Sequence, residues 1–164
     1  MQNMQISRKI SGKYDLTANI YNARYRNVQF EKYRVSLAGL DLKGDILDLG
    51  AGTGLLSDFL GTDVTAVDVS ERMLKEGSGK RVQADVQELP FKSNSFDWVL
   101  SFSVIMNAEN PSNVLEEVRR VLKPGGFFVL TYLKKFDFSG ELRSKFRLIE
   151  YKECGEDVCF VLRK

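Results

Sequence analysis

The chain of 164 residues contains no histidine, two cysteines, three prolines and one tryptophan. Without histidine, proton transfer rests on Asp, Glu, Lys, Tyr or Cys, and a three-histidine metal site is excluded. Cys154 and Cys159 lie five apart near the end. That is neither a disulfide framework nor a zinc spacing, so it reads as reduced thiols in a cytoplasmic protein, with no metal expected. No apolar run approaches the roughly 20 residues that cross a bilayer, and "MQNMQISRKISGKYD" has no signal-peptide apolar core. No membrane association is expected.

What is present suits one globular domain with a sizeable core: 43% apolar and 28% charged residues. The net charge of +2 is unevenly spread. Residues 1–44 carry eight basic against three acidic side chains, residues 45–133 eight against thirteen, and residues 134–164 eight against six. A basic leading segment suits an anionic substrate or, more commonly, a solvated helical face.

From residue 45 onward strand and helix patterns alternate. "DILDL" (45–49), "VTAVDV" (64–69), "RVQADV" (81–86), "FDWVLSF" (96–102) and "GFFVLTYL" (126–133) read as buried strands. Leu55, Leu56, Phe59 and Leu60 make one helical stripe. Val114, Leu115, Val118, Val121 and Leu122 make another, with Asn110 as cap and Pro111 at the first position. Lys123-Pro124-Gly125-Gly126 is expected to end that helix and turn into the fifth strand. A short helix near 138–145 and an antiparallel hairpin around Gly155 close the chain. Before residue 45, Phe30, Tyr33, Leu37 and Leu40 follow helical spacing, and "YDLTANIYNARY" suggests a second, more exposed helix. The domain therefore divides into a helical lid segment (1–44), a binding core (45–133), and a linking helix with terminal hairpin (134–164). Alternating βα units of this kind give a mostly parallel α/β sheet with helices on both faces.

In such sheets ligands bind beyond the carboxyl ends of the strands. Gly50, Gly52 and Gly54 stand at that end of the first strand, spaced G-x-G-x-G. A dinucleotide fingerprint would read G-x-G-x-x-G, which argues against a nicotinamide-dependent oxidoreductase. Asp68 closes the second strand 20 residues after Asp48, where a carboxylate can accept from both ribose hydroxyls. A helix N-cap is the competing role, for which Ser70 is better placed. Asp85 closes the third strand, where an adenine amine would lie if Asp68 holds the ribose. Together they outline a nucleoside pocket.

"ILDLGAGTG", "VTAVDVSERML", "QADVQELPF", "SFDWVLSFSVI" and "VLEEVRRVLKPGGFFVLTYL" resemble the class I S-adenosylmethionine (SAM)-dependent methyltransferases, in the family's order over residues 45–133. The closest branch shares the "LPF…SFD" and "LKPGG" patterns. The resemblance implies a Rossmann-like seven-stranded sheet of order 3-2-1-4-5-7-6, with SAM as cofactor. It places Gly50, Gly52 and Gly54 against the methionyl part and Asp48 beside the amino group. Asp68 would hold the ribose, with Val69 beside it in the same binding set. Asp85 would hold the adenine amine, Val86 would offer backbone contact to the ring, and Met73 would cover its face unless it is an ordinary core methionine. Ser101 would lie near the sulfonium.

Methyl transfer can proceed largely by alignment at about 3 Å and exclusion of water, so the missing histidine is no obstacle and no catalytic base is identified. The loop "SFSVIMNAENP" lacks the N-P-P-[YF] pattern, and no Pro-Cys pair of the cytosine-5 type occurs. Ser103 and Asn107 touch substrate or cap the loop. Tyr14, Tyr21 and Tyr25 close over the cofactor or simply pack, and Arg26 is a candidate partner for the SAM carboxylate. The methyl acceptor (small molecule, protein or RNA) is undetermined. The alternative function class is a SAM-binding or catalytically silent module acting as a partner subunit; homo-oligomer formation is left open.

Overall fold

In the computed structural model, which describes residues 18–62 and 64–164, the apolar runs become strands of one seven-stranded sheet. These are β1 (Ile46–Leu49), β2 (Thr65–Asp68), β3 (Arg81–Gln83), β4 (Phe96–Phe102), β5 (Leu122–Leu133), β6 (Arg147–Cys154) and β7 (Asp157–Arg163). Their order is β3-β2-β1-β4-β5-β7-β6, as the resemblance implies. The first five strands pair in parallel, and β7 runs antiparallel to both neighbours. The helices are α1 (Ala18–Leu37), α2 (Leu55–Leu60), α3 (Glu71–Lys75), α4 (Pro111–Val121) and α5 (Ser139–Lys145).

The central strands are mostly apolar because both faces are covered. On one face Leu47, Leu49 and Val99 join the α4 stripe of Val114, Leu115, Val118 and Val121. On the other, Trp98 and Leu100 meet Tyr33 and Leu37 of α1 and Leu55 and Leu56 of α2. Each fully buried aliphatic side chain is worth about 1.5–3 kcal/mol. The α4 stripe therefore outweighs its cap, in which Asn110 accepts from Ser112 N and Asn113 N for about 1 kcal/mol. Strand alternation places Asp48 on the α1–α2 face, between two residues that face α4.

Three boundaries differ from the sequence expectation. The leading segment forms one continuous helix across the described residues, since no glycine or proline interrupts Ala18–Leu37; Gly39, at φ 79, follows its end. The strand β5 starts four residues early, at Leu122, so Lys123-Pro124-Gly125-Gly126 lies within the strand. Lys123 Nζ binds Asp45 and Asp97 at 2.9 and 2.7 Å there, tying the segment to the neighbouring strand start. The strand β3 ends at Gln83 because Asp85 accepts from Gln87 N at 2.9 Å, an Asx turn that breaks the ladder.

Candidate cofactor-binding site

The turn after β1 is folded back on β2, with Gly50 N and Ala51 N both donating to the Val67 carbonyl at 2.8 and 2.9 Å. A Cβ at Gly50 would collide with Val104, so the bare backbone lies directly against the loop after β4. Gly52 has φ 54 and nothing within 4 Å of an added Cβ; its backbone faces open space. Gly54 starts α2 at φ 88, and a Cβ there would run into the Arg81 guanidinium.

Asp68 fixes this turn. Gly52 N donates to its Oδ2 at 2.8 Å and Ser70 N to its Oδ1 at 2.9 Å. The N-cap role falls to Ser70, whose hydroxyl accepts from Met73 N at 3.1 Å. Asp68 therefore supports the fold as well as facing the cleft, because both its oxygens hold backbone.

A cleft of about 900 Å³, counting its open mouth, lies beyond the strand ends. Gly50, Gly52, Asp68 and Val69 line it from β1 and β2, and Met73, Asp85 and Val86 from the next βα unit. Asp48 lines a smaller adjoining chamber, which shares Gly50 and Gly52 with the cleft. Gly54 and Ser101 line neither space. Ser101 is buried in β4 opposite Leu130, on the Val99 side of the strand.

Asp48 is an acid buried at the site, and its protonation is strongly perturbed. Burial, reinforced by the neighbouring Asp68 charge and opposed by Arg81, pushes its carboxyl up to about 7. Tyr33, in the same chamber, has its phenol held well above the ordinary range, mainly by burial. Gln29 borders both spaces, and its Oε1 is buried with no hydrogen-bond partner. Thr53 donates to Asn22 at the rim.

Among the lid candidates, Tyr21 borders both spaces, while Tyr25 is exposed and packs on Tyr21 at 4.9 Å. Arg26 pairs with Asp58 at 3.1 Å and lies over Phe30, and it borders neither space. Tyr14 falls outside the described residues. Ser103 and Asn107 both line the cleft, and Asn107 Nδ2 also donates to the Ser103 carbonyl at 3.2 Å. Sequence reasoning missed Gln29, Tyr33 and Phe102. The available signal was the four-residue spacing of Gln29 and Tyr33, which puts them on one helix face.

Comparison with known proteins gives the family and the fold. Residues 47–130, just over half of the chain, match the family model described as a methyltransferase domain, and the chain belongs to that family. The ubiquinone/menaquinone biosynthesis C-methyltransferase UbiE of Desulfotalea psychrophila is 35% identical over 129 residues, covering 71% of this chain and 52% of that protein. The chain spans about half the length of the curated relatives it matches. A SAM-dependent methyltransferase from Thermotoga maritima superposes with a TM-score of 0.74 at 19% identity, covering 92% of this chain and 98% of that one. The Burkholderia thailandensis 1,6-didemethyltoxoflavin-N1-methyltransferase, solved with S-adenosylhomocysteine, gives a TM-score of 0.73 at 19% identity, covering 96% and 86%. At these identities the structures establish a shared fold.

Proposed function

We propose that this chain binds SAM in the cleft and transfers its methyl group to a small-molecule acceptor. The observation that carries the reading is the convergence of Gly52, Asp68 and Asp85 on one cleft at the strand ends. The residues fit the cofactor. Gly52 leaves space that any side chain would fill, and the unpartnered Gln29 Oε1 requires a donor such as the methionyl ammonium. The buried Asp48 carboxyl suits the same cation.

Bound SAM supplies a methyl group on a sulfonium, open to in-line displacement. The protein's part is then to hold and exclude. Asp68 holds the ribose, with Val69 beside it. Asp85 takes the adenine amine, while Val86 and Met73 flank the ring. Asp48 and Gln29 take the ammonium, and Asp48 gives up its proton to do so. Tyr21 and Phe102, which border both spaces, keep water from the methionyl end. This arrangement asks for alignment rather than a dedicated base. A small acceptor is favoured because the relatives just described are named for quinone and toxoflavin substrates. An acceptor search with labelled SAM, in lysate from cells lacking the protein, tests it. Label in a small molecule is expected; label only in protein or RNA, or none, contradicts the reading.

A further inference from the structure

Beside the cleft lies a polar cluster outside the residues assigned to the cofactor. Lys32 on α1 and Asp157 at the start of β7 form an ion pair at 2.7 Å, with side chains 12% and 3% exposed. Ser103, in the loop after β4, closes a triangle with them. Lys32 Nζ donates to Ser103 Oγ at 2.6 Å, and Ser103 Oγ donates to Asp157 Oδ2 at 2.7 Å. Of the three residues only Ser103 lines the cleft. Its backbone sits in the left-handed region at φ 59, costly for a residue with a side chain. It is held there by its N–H, which donates to the Thr131 carbonyl at 3.0 Å, and by the two charged partners.

The directions of these bonds follow from chemistry alone. An ammonium has no acceptor, so the hydroxyl must accept from Lys32; an ionised carboxylate has no donor, so the hydroxyl proton must go to Asp157. A serine hydroxyl has one proton and two lone pairs. Its proton is therefore committed and one lone pair is used, which leaves one lone pair and no donor. Whatever meets Ser103 Oγ from the cleft has to bring a proton of its own. A carbonyl or ether oxygen there would face lone pair against lone pair.

Building on the proposed methyltransferase function, we propose that Ser103 is the substrate-reading residue, that Lys32 and Asp157 position it, and that the methyl acceptor carries a hydroxyl or N–H group docked on Ser103 Oγ. The neighbouring walls, Phe102, Val104 and Ala108, are apolar and suit a flat ring bearing that group.

The test uses the full chain loaded with S-adenosylhomocysteine and two probes, 1-naphthol and its methyl ether 1-methoxynaphthalene. They share a ring system and differ in the donor proton. Wild type should bind naphthol at least about tenfold more tightly than the ether, in line with a hydrogen bond to a charge-coupled acceptor. Ser103→Ala and Ser103→Gly, the second of which relieves the left-handed backbone, should bind both probes equally. Their affinity for S-adenosylhomocysteine should stay within about threefold of wild type, a pattern that general unfolding does not produce. Equal binding by wild type, preference for the ether, binding of neither probe, or a preference retained in both variants overturns the inference. Failure of wild type to bind S-adenosylhomocysteine is a separate result; it removes the proposed function and this inference with it.

Discussion

Replacing Asp48 with asparagine should make the unliganded protein more stable while making it bind SAM less well. Burial pushes the Asp48 carboxyl from its ordinary 3.8 up to about 7 in the fold. Between those values the folded chain holds a proton that the unfolded chain has released. Protonated Asp48 thus favours the fold fully below about pH 4, and the benefit is lost as pH rises through 7. Three pKa units at about 1.4 kcal/mol each set a ceiling near 4 kcal/mol. Relaxation around the ionised group brings the expected loss to about 2–4 kcal/mol. The neutral amide of Asp48→Asn never incurs it. Urea unfolding of both proteins at pH 4.5, 6, 7 and 8 should show near-equal stability at the acid end and a variant about 2–4 kcal/mol more stable at pH 8. SAM affinity at pH 8 should fall about 10- to 100-fold, the value of one charge-assisted hydrogen bond. Parallel pH profiles, or a variant less stable at pH 8, would refute the reasoning.

Further perturbations separate binding from folding. Asp68→Ala should weaken SAM about 30- to 1,000-fold by calorimetry. It should also lower stability by about 1–3 kcal/mol, because Gly52 N and Ser70 N lose their acceptor; a lowered melting point with unchanged affinity would eliminate the ribose role. Gly52→Val should abolish measurable S-adenosylhomocysteine binding by filling the cleft, at a folding cost of about 1–2 kcal/mol for the left-handed backbone. Asn110→Ala should cost about 1 kcal/mol in urea and leave cofactor affinity unchanged, since the cap lies on α4 outside the cleft. Burial pushes the Cys159 thiol up to about 12, so a thiol reagent should modify it slowly at pH 8 until the protein is denatured; rapid native reaction at Cys159 would contradict its burial.

Most of the architecture was legible because it is local. The apolar runs, the Asn110 cap with Pro111, and the terminal hairpin are written in periodicity and turn chemistry, and β4 matches its expected bounds. The start of β5 was not legible. Pro124 and Gly125 read locally as a turn, yet pairing of Leu122 with Phe96 and the anchoring of Lys123 by Asp45 and Asp97 draw the segment into the sheet. At the site, the glycine spacing and the strand-end carboxylates were legible because each follows a strand. Gln29 was not, since a glutamine on a helix announces no ligand. The pairing of Lys32 with Asp157 joins residues from opposite ends of the chain, and no spacing rule connects them. Arg26, a candidate partner for the SAM carboxylate, pairs with Asp58 in the fold, a contact 32 residues along the chain that no local spacing announces.

The central claim is that the Gly52–Asp68–Asp85 cleft holds an adenosyl cofactor and not a dinucleotide. Isothermal calorimetry of the purified chain with SAM, S-adenosylhomocysteine and NAD tests it directly. The expected result is saturable binding of both adenosyl ligands in the micromolar range and no heat with NAD. Binding of NAD, with neither adenosyl ligand bound, would contradict the account.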